Sequence, residues 1–403
     1  MNKCLSWRRV LPFLGYSFLF VTPSVFAIDY DVNGTNVSLY GYAKLDVMYD
    51  SGDIKAGNSS GMGDSVNFSK IAVDGQPSTS GHSNLHANES RLGIRTTTPT
   101  EKGDLITNIE GDFFFGNLRM RQAYGSWNGI TAGQTWSNFH TFISTTPTLD
   151  FTGPAGRDAF LRQAQLRYSV GNFHVAIEDP SGAMSGNSFD GGYDAVTGGR
   201  SIAGTDVDRK DGLPDITLRY ESLAGALRWA SAAMIREVAF DDGAAKDSKI
   251  GWGAFVAANY ALTPNTTLRG QITGGEGIGA YMKVNPAPSA YRAGNELETI
   301  FAWGGTIGIS HDIGPGAFNV SYSLVNADWD DAERDGVSLV NTGSSNEFIS
   351  AYDEERELVH INYQWSPGHN ITYGIELAHA ARHTVDGRSG SVDRLQGSII
   401  YRF

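Results

Sequence analysis

The sequence predicts an all-β chain closed into a transmembrane antiparallel β-barrel of about 16 strands, with one long loop folded inside it. Three observations carry the barrel. Apolar and polar residues alternate with period two along the chain. The links between the alternating runs sort into short and long by parity. The chain also stops on an aromatic residue, Phe403, in the middle of an alternating run. Successive side chains of a strand point to opposite faces, so such runs give one apolar face backed by a polar one. Beyond the N-terminal segment no stretch approaches the ~20 consecutive apolar residues of a membrane-spanning helix. Membrane strands need only about ten residues of alternating polarity.

The first of the 403 residues read MNKCLSWRRV, with Lys3, Arg8 and Arg9 ahead of an apolar stretch from Val10 to Val25 and a small residue at Ala27. That is the layout of a secretory signal peptide. Residues 1–27 are therefore expected to be a cleaved signal, 28–36 a short N-terminal tail, and 37–403 a single barrel. Cys4, the one cysteine, lies in the leader, so the exported chain is expected to have no disulfide. The chain carries 31 Lys and Arg against 44 Asp and Glu. Three of the basic residues lie in the leader, which leaves 28 against 44 and a net charge of −16. Such a balance disfavours nucleic acid as a partner.

The strands follow in order. VSLYGYAKLDVMYD sets Val37, Leu39, Gly41, Ala43, Leu45, Val47 and Tyr49 against Ser38, Tyr40, Tyr42, Lys44, Asp46 and Asp50. NFHVAIE, PDITLRYE, HINYQW and NITYGIELA repeat the pattern. DRLQGSIIYRF closes it, with Leu395, Gly397, Ile399, Tyr401 and Phe403 on one face. In lipid every backbone group must be paired, so this last strand is expected to pair with the first. Short links fall near 99–103, 128–129, 171–172, 223–225, 263–265, 313–316 and 366–369. Long polar ones fall at 51–81, 137–160, 180–212, 237–247, 277–296, 327–354 and 382–391. The link at Phe115-Gly116-Asn117 is short where parity asks for a long one. Sorting by parity is what an up-and-down barrel produces, with short turns at one end and long loops at the other.

ESRLGIRTTTPTEKGD, NIEGDFFFGNLRMRQAYGSW, TAGQTWSNF and LDFTGPAGRDAFLRQAQLRY resemble the DcaP-like outer-membrane porins. The likeness is densest from Leu39 to Tyr168 and returns at PDITLRY and the C-terminal strand. It implies a homotrimeric channel in the outer membrane of a Gram-negative bacterium, amid lipid and lipopolysaccharide, for passive diffusion of small anions such as carboxylates and dicarboxylates. The N-terminal coiled coil of some relatives is not expected here, because about nine residues separate Ala27 from the first strand. The alternatives are a cation-preferring general porin and a non-conducting barrel with an enzymatic or structural role.

Anion preference needs basic side chains facing the lumen. The register turns Arg91, Arg95, Arg119, Arg121, Arg167, Arg219, Arg228, Arg269 and Arg394 inward. Arginine suits carboxylates because its planar fork reaches both oxygens. The competing reading is that these side chains form ion pairs with Glu89, Glu110, Asp112, Glu178 and Asp215 and only hold the wall together. Segment 137–160 is the expected constriction loop. Its Phe139, Phe142, Ile143, Leu149 and Phe151 need something to pack on, and its Asp150, Arg157 and Asp158 are expected to face the lumen. An enzyme is not expected, because no G-x-S-x-G turn accompanies Ser231, His311 or His379. No metal or other cofactor is expected. The DYDVNG start of a calcium loop has Tyr40 where a bidentate Glu belongs. The acidic run DWDDAERD at 328–335 reads as a solvated external loop, or as a divalent-cation bridge to anionic surface lipid.

Overall fold

The computed structural model describes residues 27–180, 209–337, 339–341 and 350–403. All but the last residue of the expected signal peptide lies outside them. Sixteen antiparallel strands close into one barrel. They are Thr35–Gly52; His82–His86 continued by Arg91–Thr98; Leu105–Asp112; Arg119–Trp127; Ile130–Trp136; Arg162–Val170; Phe173–Glu178; Asp215–Ala224; Leu227–Asp241; Lys246–Thr263; Thr266–Glu276; Phe301–Ile313; Gly316–Ala327; Asp353–Gly368; Ile371–Thr384; and Ser389–Arg402. They are called the first to the sixteenth below.

The alternation seen in the sequence becomes the two faces of the wall. Leu45, Val47, Leu92, Ile94, Ile216, Leu218, Ile375 and Leu377 stand exposed outside. Asp46, Asn108, Thr217 and Glu376, their neighbours in register, are buried inside. Aromatic residues mark one boundary. Tyr363, Trp365 and Tyr373 lie ring to ring at 5.5 and 5.6 Å near the end of the fourteenth strand and the start of the fifteenth. Closure is by the terminal strands, from Tyr42 opposite Arg402 to Gly52 opposite Val392. Phe403 and Gly41 exchange both backbone hydrogen bonds at 3.1 Å. The chain therefore ends where the ladder ends.

Three details differ from the sequence reading. Ile28–Val32, read as a tail, is a strand, turned back by Asn33-Gly34 to pair with Thr35–Leu39. It covers the edge of the first strand that the sixteenth does not reach, and so meets the demand of exposed edge groups for partners. The links read as long at 237–247 and 382–391 are tight turns at 242–245 and 385–388, because the strands run on beyond the apolar band. A register shift between Glu110 and Gly111 marks a bulge opposite Arg121, so that Arg121 and Gln122 both point inward. Bulges re-aim side chains in this way.

Candidate functional site

The site is built by the loop between the fifth and sixth strands, which crosses the lumen. At one side the Asn138 N–H donates to Glu178 at 2.7 Å. On the far wall the N–H groups of Leu149 and Asp150 both donate to the Glu376 carboxylate, at 2.9 and 2.8 Å. Between these anchors the Ala155 N–H donates to Ser323 at 3.0 Å, and Asn259 donates to the Ile143 carbonyl at 3.1 Å. Phe139, Ile143 and Leu149 are buried against the wall and neighbouring loops. Wall glycines leave the room. A Cβ on Gly304 would stand 2.7 Å from the Gly156 Cα, and one on Gly308 or Gly374 would collide with Thr146 or Leu149.

The expected lumen-facing charges of this loop are tied to partners within the loop, in the first long link and on the wall. Asp150 accepts from the Val66 N–H at 2.9 Å and lies 3.4 Å from His360. Asp158 takes His140 Nδ1 at 2.7 Å and the Thr141 N–H at 2.8 Å. Burial holds the His140 imidazole below its ordinary range, against the pull of Asp158. Arg157 is buried, bonded to Thr145 and stacked over Phe160 at 5.3 Å. A loop withdrawn from water has to satisfy its own polar groups, and these three residues do that work.

The nine wall arginines separate into groups. Arg394, expected in the pore, is fully buried in a two-pronged pair with Asp50 at 2.7 and 2.9 Å. Arg121 is also buried, held by Glu110 at 3.0 Å and Asp112 at 2.5 Å. Arg91 lies 3.5 Å from Glu110 and over the Tyr42 ring. Arg119 pairs with Asp112 at 3.0 and 2.9 Å, but its guanidinium also lies over Phe114 and reaches a cavity. Arg95 is exposed. Arg167, Arg219, Arg228 and Arg269 are half-buried near the short turns, with Arg219 at 3.3 Å from Glu221 and Arg269 donating to Ser310 at 2.6 Å.

The cavity occupies about 320 Å³ and lies where three loops meet inside the barrel. They are the constriction loop, the first long link near Val66–Ser69, and the segment around Lys283. Among the described residues its charged lining is Arg119, Arg162, Lys283 and Arg356, with no carboxylate. Each of these cations lies over an aromatic ring: Arg119 over Phe114 at 5.0 Å, Arg162 over Trp136 at 4.6 Å, Lys283 over Phe160 at 4.6 Å, and Arg356 over Phe68 at 5.4 Å. A ring face steadies a cation without cancelling its charge. Asp46, His86 and Glu89 bring three donor atoms within 4.8 Å of one another elsewhere in the lumen. The Lys44 ammonium already bridges Asp46 and Glu89, at 3.2 and 2.5 Å, and His86 donates to the Asp64 carbonyl. The charge that a metal would supply there is supplied by the protein.

Residues 27–291 match the DcaP outer membrane protein family. The chain belongs to that family. The fold is similar to the crystal structure of the outer membrane channel DcaP of Acinetobacter baumannii. The two are 24% identical over 93% of this chain and 99% of that one, with a TM-score of 0.73. It is also similar to an anion-selective porin from Comamonas acidovorans, 12% identical over 92% and 100% of the two chains with a TM-score of 0.54. Outer-membrane expressed OmpT of Vibrio cholerae is 11% identical over 93% and 100%, with a TM-score of 0.53. No curated protein sequence gives a match. The chain is an outer-membrane porin of the DcaP family.

In this DcaP-family chain the sequence reading missed three of the four cations of the cavity. Arg356 had a signal, because it shares the parity of Leu358, His360 and Asn362 on the fourteenth strand. Arg162 had none. It has the parity of the lipid-facing Leu166 and Tyr168, yet turns inward at the strand mouth where the constriction loop ends. Lys283 lies in a link that polarity alone assigns to the outside.

Proposed function

We propose that this porin passes small hydrophilic solutes by passive diffusion and favours anions, carboxylates and dicarboxylates among them. The observation that carries the reading is the cavity beside the constriction loop, with four cations and no carboxylate among the described residues of its lining. Charge at the narrowest point outweighs the net charge of the chain, because low-dielectric walls focus the local field. The surplus acid includes Asp328, Asp330, Asp331 and Glu333 of an external loop.

A homotrimer is part of the proposal. The third to seventh strands have 8, 9, 7, 9 and 6 residues, against 15 and 18 in the ninth and tenth. A membrane strand needs about 9–11 residues, so the low wall matches the bilayer poorly by itself and is suited to cover by another copy. Cleavage after Ala27 is the remaining element, and N-terminal sequencing of protein from outer membranes should begin at Ile28. The reversal potential of the purified protein in a planar bilayer under a KCl gradient tests the central claim. A chloride-favouring potential is expected. A potassium-favouring one would leave the porin and overturn its solute class.

A further inference from the structure

The four cations of the cavity are not equivalent. Arg119 spends two donors on Asp112. Arg356 donates to Asp353 at 2.7 Å and to the carbonyls of Val284 and Asn285 at 3.2 and 3.1 Å. Lys283 differs. Its ammonium, with three donors, lies on the Phe160 face and makes no ion pair among the described residues. Its backbone is fixed: the Lys283 N–H donates to the Arg157 carbonyl at 2.9 Å, and the Gly156 N–H donates to the Lys283 carbonyl at 3.0 Å. This short ladder joins two infolded loops and holds the side chain at the cavity.

Apart from the polar Ser65, Asn67, Ser69, Thr152 and Asn285, the rest of the lining is apolar. Phe68, Phe114, Phe151 and Phe160 supply ring surface, and Phe114 stacks on Phe151 at 4.3 Å between centroids. A volume of about 320 Å³ falls in the range of sites for small organic ligands. A bare inorganic anion or a short aliphatic diacid would meet the cations but leave this ring surface wet. An acid with a flat apolar body would cover it and favour the arrangement through the area it removes from water.

We propose that this cavity is a saturable binding site for a single carboxylate carried on a flat apolar ring, and that Lys283 is the residue that holds the carboxylate. The inference rests on the anion-porin reading and adds to it a solute class and a position. Burial pushes the Lys283 ammonium down to about 7; Arg157, Arg162 and Arg119 add to that effect and Asp150 opposes it. Arg356 is the other charged group of the lining. Lys283 is charged below that value, so binding should be tighter at pH 6 than at pH 8.

The test is block of chloride current through the full-length trimer by benzoate, with acetate and succinate as controls. Benzoate should half-block at a concentration roughly tenfold lower than acetate or succinate. Lys283→Met should raise the benzoate value by about fivefold or more and remove its dependence on pH between 6 and 8. Lys283→Arg should restore block and leave it flat with pH. Heat-resistant migration of each variant on gels confirms that it has assembled. Chloride-favouring current with equal action of benzoate and acetate would overturn this inference alone. So would an unchanged benzoate value in Lys283→Met. Potassium-favouring current in the unmodified protein would overturn it together with the anion reading.

Discussion

Two charged regions flank the constriction loop, and they differ in how far their charges are matched. On one side is an acidic seat made by the first, fifteenth and sixteenth strands and the break in the second. There Asp50 is paired with Arg394, Asp46 and Glu89 with Lys44, and Glu376 with two loop N–H groups. On the other side, around the cavity, every cation lies over a ring; Arg119 and Arg356 also pair with Asp112 and Asp353, while Lys283 makes no ion pair among the described residues. A charge matched by a counter-charge or a fixed donor is spent on holding the fold. A charge on a ring face keeps most of its field for a passing solute. Count and sign do not separate the two regions, because both contain arginines on the lumen side of the wall. What separates them is Lys283, which has a ring and no counter-charge among the described residues.

The sharpest way to break this comparison is within the seat. Arg394→Gln would leave Asp50 buried without its counter-charge, which costs about 3–5 kcal/mol. The urea midpoint of the refolded barrel should fall clearly, with ion selectivity unaltered in whatever fraction assembles. A normal midpoint with altered selectivity would move Arg394 back among the pore residues. Glu376→Gln should act more locally. It replaces one accepting oxygen by an amide donor facing a loop N–H, at a cost of about 1–3 kcal/mol. The loop should loosen, and single-channel records should become noisier with a larger mean conductance. Quiet records at the original conductance would remove Glu376 from the anchoring role.

Across the loop the effect should move from stability to selectivity. Arg119→Gln removes one lining charge, while Asp112 keeps Arg121 as its partner. A unit charge about 4 Å from a solute is worth ~1 kcal/mol in water, or about fivefold in permeability ratio. Chloride preference should fall by that order, with the urea midpoint moving less than in Arg394→Gln. An unmoved reversal potential would assign Arg119 to the wall alone.

The barrel was legible in the sequence because lipid on one side and a lined lumen on the other enforce a period of two, residue by residue. Leu92, Ile94, Ile216 and Leu218 are outside for that reason, and Arg91 and Arg219 inside. The infolding of 137–160 was legible from its phenylalanines, which needed a surface to pack on, together with the family resemblance. The site was legible only where it lay on that period. Parity told which way Arg119 and Arg394 point, but both have carboxylate partners and the difference lies in what else they touch. Asp50 is 344 residues from Arg394 in the chain. Lys283 and Arg162 lie off the period, one in a loop that turns inward and one at a strand mouth. Nothing in their local sequence marks the contact they make with each other's surroundings.

The smallest expected effect tests the reach of the cavity's field. Arg269 is on the lumen face near the short turns, bonded to Ser310 at 2.6 Å, and is not part of the cavity lining. It shares the sign of Lys283 but stands outside the cavity, where a passing ion is expected to keep its water. Screening there follows bulk salt, with a Debye length of about 10 Å at 0.1 M and about 3 Å at 1 M. Arg269→Gln should therefore lower anion preference less than twofold in 0.1 M KCl and leave it unchanged in 1 M KCl. Arg119→Gln should keep much of its effect at both concentrations, because the loop and the rings exclude ions from its surroundings. If the two variants lost the same fraction of selectivity on adding salt, the cavity would have no privileged field. Selectivity would then belong to the lumen as a whole.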